Sequence, residues 1–154
     1  MEKQELYLKT MFCCISCDGD IATEEVDLIR QLCNNDIKLD CEVSEKLLNQ
    51  WIDDINKQGA IFLSSYLNDL KNANLSNEEQ MNVVRLAIRA IEADNKIEYS
   101  EIKFFKKIRA RLNVGDEQIL EAFPDKQDFL LPDLNVLDDP ILESNLQFDK
   151  ISLL

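Results

Sequence analysis

Three cysteines lie close together early in the chain, at Cys13, Cys14 and Cys17. The last two have the C-x-x-C spacing that is typical of thiol redox centres and of half a zinc site. Structural zinc needs four ligands, and Cys33 and Cys41 do not form a second C-x-x-C. The cluster falls in the last turns of a predicted helix, where the helix dipole does not favour a thiolate. We therefore expect packing as small apolar side chains, with redox or soft-metal binding as the alternative.

An acidic turn follows the cysteines, with the sequence Asp18-Gly19-Asp20-Ile21 and then Glu25. It resembles the start of an EF-hand calcium loop, which needs oxygen ligands at positions 1, 3, 5 and 12. The match ends after position 3, because position 5 is an alanine and position 12 an isoleucine. Two interpretations remain. Either the aspartate closes its own turn and the glutamate caps the next helix, or the carboxylates bind a divalent cation or a basic partner.

The acidic turn occurs twice, because residues 8–32 align without gaps onto residues 84–108. Each copy reads as a helix, a turn that begins with Asp, and a second helix with Glu in its first turn. If the two turns lie side by side, their carboxylates form one patch, and such oxygen ligands favour calcium or magnesium over zinc. The candidate metal ligands are Asp18, Asp20, Glu25, Asp94 and Glu101, with Glu24 and Glu98 beside them.

The same alignment bears on the cysteines. Cys14 and Cys17 correspond to Ala90 and Ala93 in the second copy. Small buried residues suit both copies, and cysteine packs as a small apolar residue. The alignment therefore favours packing at these positions.

The elements that must position both turns are helices. Apolar residues recur at helical spacing in six stretches, and a short seventh helix is expected from Asp116 to Phe123. The six stretches begin near Leu8, Val26, Leu47, Phe62, Met81 and Ile102. Gly59 should end the third helix as a left-handed cap, and Ser76 with Glu79 forms a capping box at the fifth. Short loops then predict a single compact all-α bundle of about seven helices, built on two repeated hairpins, over residues 1–123.

Composition narrows the classes of function. The chain has 154 residues, a net charge of −13 and no histidine. Without histidine, Ser-His and Cys-His nucleophiles and His-ligated zinc are excluded, so we do not expect an enzyme. The acidic balance makes nucleic acid a poor partner. No apolar run approaches the ~20 residues of a membrane span, and five cysteines, an odd number, suit reduced thiols in a cytoplasm.

The charge is uneven, and the last part of the chain has a different character. Residues 85–111 are rich in Lys and Arg, whereas residues 124–154 form an acidic tail that carries much apolar surface. Such a tail should lie on its own domain, on a second copy in a homodimer, or on a protein partner. We expect it to pack against the basic sixth helix. The basic residues of that helix are Lys103, Lys106, Lys107, Arg109 and Arg111.

The two hairpins resemble the signature of the TerB-like family, which includes the tellurite-resistance protein TerB and the N-terminal domain of a DnaJ-like co-chaperone. The matching stretches are MFCCISCDGDIATEEVDLIRQL and AIRAIEADNKIEYSEIKFFKKIRARL. In the second copy Asn95 and Lys96 depart from the family pattern. The resemblance implies an all-α bundle of about seven helices, no known catalysis, a cytoplasmic or membrane-adjacent role in tellurite resistance or stress response, and an acidic metal-binding surface. Carried over, that surface would use Asp18, Glu25, Asp94 and Glu101.

The expected protein is therefore a cytoplasmic, non-enzymatic module whose acidic surface binds a divalent cation. The alternative is a protein-interaction adaptor, co-chaperone-like or homo-oligomeric, in which metal has no role.

Overall fold

A computed structural model describes residues 3–17, 19, 21–33, 35, 37–93, 99–130, 148 and 150–153. In these residues there are eight helices and no strand, which confirms the predicted all-α fold. The predicted seven helices are present, and a one-turn eighth follows them. The helices are α1 (Lys3–Ser16), α2 (Thr23–Cys33), α3 (Cys41–Gln58), α4 (Ala60–Asn72), α5 (Asn77–Glu92), α6 (Tyr99–Ala110), α7 (Asp116–Ala122) and α8 (Gln127–Leu130).

Helix α1 lies at the centre of the bundle. It contacts α2, α3, α4, α5 and α6, and every side chain from Leu6 to Ser16 is buried. The sequence predicts only one apolar face for this helix, from Leu8 to Ile15. The difference arises because five neighbours surround α1, so its polar positions must be buried too. One of them, Ser16, donates its hydroxyl to the Phe12 carbonyl oxygen at 2.7 Å, which satisfies it within the helix.

The two repeated hairpins pack through their first helices, since the largest helix–helix contact joins α1 to α5. Aromatic rings then tie the intervening helices to this pair. The Phe12 ring lies 5.9 Å from Trp51 of α3 and 5.7 Å, edge-on, from Phe62 of α4. Tyr66 of α4 lies 6.2 Å from Phe104 of α6. Ring pairs at these separations stabilise the fold beyond the burial of their surface. Because the pairs join α1 to α4 and α4 to α6, one core connects both repeats.

Gly59 is the single residue between α3 and α4. The predicted left-handed cap is only half correct, because its φ of 59° is positive but its ψ of −129° lies outside the left-handed helical region. Its N–H donates to the Ile55 carbonyl oxygen at 2.7 Å, and its own carbonyl accepts from Phe62 at 3.0 Å. Essentially only glycine adopts this backbone conformation. One residue thereby ends one helix and starts the next.

The predicted capping box is present at the start of α5. The Ser76 hydroxyl accepts from the Glu79 N–H at 3.2 Å, and the Glu79 carboxylate accepts from the Ser76 N–H at 2.7 Å. Lys3 of α1 forms an ion pair with the same carboxylate. The cap therefore also joins α5 to α1.

The tail contacts two different parts of the bundle. Phe129 of α8 lies 5.4 Å from Phe105 of α6, between ring centroids. Residues 148 and 150–153, which we call the docked segment, lie instead on α2 and α3, where Leu153 accepts from Arg30. The expectation that the tail packs on α6 is therefore confirmed for α8, and it is wrong for the docked segment.

Candidate functional site

The first acidic turn joins α1 to α2, and Glu25 stands at the third position of α2. Its Oε1 accepts a hydrogen bond from the Ala22 N–H at 2.7 Å, and Ala22 is the residue immediately before the helix. This is the glutamate half of a capping box, which satisfies a backbone donor that the helix leaves unpaired. Gly19, with φ of 89°, gives the turn the positive φ that its bend requires. Glu25 is 3% exposed, so its carboxylate lies inside the fold.

Glu101 holds the same position in the second repeat. It is the third residue of α6, as Glu25 is the third residue of α2, and it is 2% exposed. The repeat therefore places two buried carboxylates at equivalent helix starts. Burying a carboxylate is costly unless hydrogen bonds or positive charge offset the loss of water. Because both repeats bury a glutamate at the same helix position, the burial belongs to the repeat. It distinguishes Glu25 and Glu101 from the exposed acidic residues of the chain.

One contact joins the end of α1 to the start of α6. The Cys17 thiol, one residue beyond α1, lies 3.9 Å from the carbonyl oxygen of Ser100, next to Glu101. Cys14 is near both glutamates: burial raises the pKa of its thiol well above the usual value, and Cys13, Glu101 and Glu25 raise it further. Both carboxylates therefore act electrostatically on the same thiol in the last turn of α1.

The other three predicted ligands cannot be placed. Asp18, Asp20 and Asp94 lie outside the described residues, as does Glu98. Among the residues that are described, no three Asp, Glu or Cys side chains form a group that could hold a metal ion. The predicted five-residue cation site therefore stays a prediction, with two of its members located.

The cysteines pack in the core, as the sequence favours. Cys13, Cys14 and Cys33 are fully buried and Cys17 nearly so, and none of the five cysteines, all of them described, is in a disulfide. Burial raises the pKa of Cys13 above its usual range and that of Cys33 to about 11. A thiol with a raised pKa is a poor nucleophile and a poor metal ligand at neutral pH. The environment of these thiols therefore argues against the redox alternative.

A charged groove of about 450 Å³ lies between α2 and α5, beside the first turn. Its lining includes Glu24, Asp27, Arg89 and Glu92. The acidic turn in the sequence pointed to Glu24 but not to Asp27 or Glu92. Asp27 could have been found, because it stands three residues after Glu24 and so shares its helix face. Glu92 has no such signal, since only the arrangement of α2 and α5 around α1 brings it to the groove.

The comparisons with known proteins give a family and no individual relative. A family model described as tellurite resistance protein TerB matches residues 8–122. No curated protein and no solved structure was found to match the chain. None of the described helices combines the length and the apolar character that crossing a bilayer requires.

Proposed function

The chain belongs to the tellurite resistance protein TerB family, and on that premise we propose that it is a cytoplasmic, non-catalytic module of tellurite-resistance or stress-response type that binds a divalent cation at its paired acidic turns. One observation supports the proposal: the repeat has two buried carboxylates, Glu25 and Glu101, at equivalent helix starts, and both raise the pKa of the Cys14 thiol in the last turn of α1. Burying a carboxylate costs free energy because its charge loses the stabilisation of water, and a bound cation offsets that cost.

The chemistry of the donors favours a hard cation. Glu25 and Glu101 supply carboxylate oxygens, and the adjoining turns add Asp18, Asp20 and Asp94, so every proposed ligand is an oxygen donor. Calcium takes six to eight such oxygens in flexible geometry, while magnesium keeps several waters. When bound, the ion would supply positive charge that joins the two hairpins, and the residues of this chain would do no chemistry on it.

Calorimetric titration of the wild-type chain with calcium, and separately with magnesium, tests the proposal. We expect binding in the range of about 0.1–1 mM, typical of weak calcium modules. Glu25→Gln and Glu101→Gln should each weaken binding at least about tenfold, because each removes one ligand charge. The side-chain amide that Glu25→Gln introduces still offers an oxygen to the Ala22 N–H, so the helix cap is retained. Glu117→Gln, which removes the same charge from the first turn of α7, is the matched control.

Absence of a response to calcium and magnesium would overturn the cation role. If no heat and no amide chemical-shift change near Glu25 is seen up to about 10 mM of either ion, the turns are structural. Substitutions at Glu25 and Glu117 that weaken binding equally would point to a diffuse charge effect and not to a site.

The second candidate is a protein-interaction adaptor without metal. The groove between α2 and α5 favours it, because charged side chains of both signs line it, Glu24, Asp27 and Glu92 together with Arg89. Asp27 and Glu92 pair with Arg30 and Lys126, at 2.6 Å and 2.5 Å. Such a surface suits a charged segment of a partner protein that exchanges with these ion pairs. The titration above separates the candidates, since an adaptor predicts no response to either cation at Glu25 or Glu101.

A further inference from the structure

The docked segment is held by side chains that bind its backbone. Asn56 donates to the Phe148 carbonyl at 3.1 Å and accepts the Phe148 N–H at 2.8 Å. Asn49 does the same for Ile151, at 3.1 Å and 2.8 Å. In an extended chain, the N–H and C=O of one residue point to the same side. Each asparagine amide can therefore meet both groups of one residue, as a neighbouring strand would.

Further contacts continue this pattern toward the end of the segment. Glu45 accepts the Leu153 N–H at 3.2 Å, and Arg30 of α2 donates to the carbonyl oxygens of Ser152 and Leu153, each at 3.1 Å. All of these bonds are to main-chain groups of the docked segment. A surface that binds the backbone in this way recognises an extended peptide with little regard to most of its side chains.

The spacing of the helix matches the spacing of the peptide. Asn49 and Asn56 are two turns apart on α3, about 10.5 Å at 1.5 Å per residue. Phe148 and Ile151 are three residues apart, about 9–10 Å in an extended chain. Glu45 lies one turn before Asn49, about 6 Å away, and pairs with the residue two positions beyond Ile151. One face of α3 is thus spaced to bind an extended chain that runs antiparallel to the helix.

Specificity comes from a few apolar side chains. Ile151 and Leu153 are 6% and 3% exposed, and Phe148 is half-buried, whereas Lys150 and Ser152 are exposed. Counted from Phe148 as position 1, the segment therefore has apolar residues at positions 1, 4 and 6. Each of these three residues also donates its N–H to α3, so proline is excluded at all three positions.

We infer that this face of α2 and α3 is a peptide-binding groove, that the docked segment is its resident ligand, and that a protein partner displaces the segment with an extended stretch of the same apolar spacing. The partner stretch carries large apolar residues at positions 1, 4 and 6, no proline there, and any residue at positions 3 and 5. Such a stretch would reproduce the same backbone bonds, so a partner must exceed the effective concentration of the tethered segment through its apolar anchors or its own abundance. This inference does not depend on cation binding.

A binding assay on the full chain tests it. The probe is a fluorescein-labelled peptide of residues 147–154, followed by fluorescence anisotropy. The variant Ile151→Asp/Leu153→Asp weakens the resident segment, since both anchors become charged. We expect this variant to bind the probe at least about tenfold more tightly than the wild type, in which the groove is already occupied. Adding Asn49→Ala should abolish most of that gain, whereas Asn68→Ala, an exposed asparagine of α4, should not.

Three results would overturn the inference. A folded double variant that binds the probe no better than the wild type would show that the face is not a peptide site. A probe with proline in place of Ile151 that binds equally well would exclude the backbone recognition described. A wild-type dimer that disappears in the double variant would assign the groove to a second copy of the chain and not to a partner.

If the double variant does not fold, hydrogen exchange of the wild-type chain tests the inference. Excess unlabelled peptide should then accelerate hydrogen exchange at the Ile151 and Leu153 amides, because displacement exposes both to water. Unchanged exchange rates at both amides would overturn the inference.

Discussion

The substitutions Thr10→Val and Tyr66→Phe should change the free energy of unfolding by amounts that do not add when the two are combined. Thr10 of α1 donates its hydroxyl hydrogen to the Leu6 carbonyl oxygen at 2.8 Å, and its oxygen lies 2.5 Å from the Tyr66 hydroxyl. Because threonine has one hydroxyl hydrogen, the Tyr66 hydroxyl must be the donor of the second bond. Burial, together with Cys13 and Cys14, raises the pKa of Tyr66 well above its usual value, so this hydroxyl keeps its proton.

The direction of that bond sets the size of each effect. Thr10→Val leaves the Tyr66 hydroxyl, which is fully buried, without an acceptor, and should cost about 1–3 kcal/mol. Tyr66→Phe leaves the Thr10 hydroxyl still bonded to Leu6, and should cost only about 0.5–1.5 kcal/mol. In the double variant no tyrosine hydroxyl remains to be left unpaired. The double variant should therefore be no less stable than Thr10→Val alone, with a coupling energy of about 1 kcal/mol.

Urea denaturation followed by far-UV circular dichroism measures all four free energies of unfolding. Tyr7→Phe is the control, because Asn82 contacts the Tyr7 hydroxyl only at 3.5 Å, and should change the free energy by about 0.5 kcal/mol or less. Single effects of Thr10→Val and Tyr66→Phe that add to within about 0.3 kcal/mol would refute the donor assignment.

Two further predictions concern helix ends. Gly59→Ala should lower the free energy of unfolding by about 1–2 kcal/mol through backbone strain alone, because no atom lies within 4 Å of the added carbon. The control Gly115→Ala, at a φ of −82°, should change the free energy of unfolding by about 0.5 kcal/mol or less. Equal effects of the two substitutions in thermal unfolding would contradict the strain at Gly59. The hydrogen bond from Lys3 lowers the pKa of Glu79, so its contribution to stability is present above the usual carboxyl pKa and is lost as pH falls through the lowered value. The difference in unfolding free energy between wild type and Glu79→Gln should therefore shrink from about pH 6 to about pH 3, and a constant difference would contradict the assignment.

Local patterns in the sequence were enough for seven of the eight described helices and for some of their ends. Periodic apolar residues predicted seven helices, and Ser76 with Glu79 predicted a cap that the structure contains. The repeated turn predicted that Glu25 and Glu101 would hold equivalent positions, and both are buried third residues of their helices. These features were predictable because hydrogen bonds within one or two turns of the chain produce them.

The candidate site was only partly predictable. The sequence pointed to the acidic turns but not to Asp27 and Glu92, which line the adjacent groove. Asp27 shares a helix face with Glu24, whereas Glu92 reaches the groove only through the packing of α5 near α2. The burial of Glu25 was also not evident, because acidic residues in a first turn are more often exposed to water.

The tertiary structure decided what depends on residues far apart in the chain. Helix α1 looked amphipathic, yet five neighbours bury it on all sides, and Thr10 finds its partner in Tyr66 on α4. The tail was expected on α6, but the docked segment binds Asn49 and Asn56 of α3. Composition and periodicity describe what a segment can bury, whereas the surface on which it is buried depends on the packing of the whole bundle. The sequence alone thus determined the helices, their repeat and the family, and the packing determined which polar groups meet.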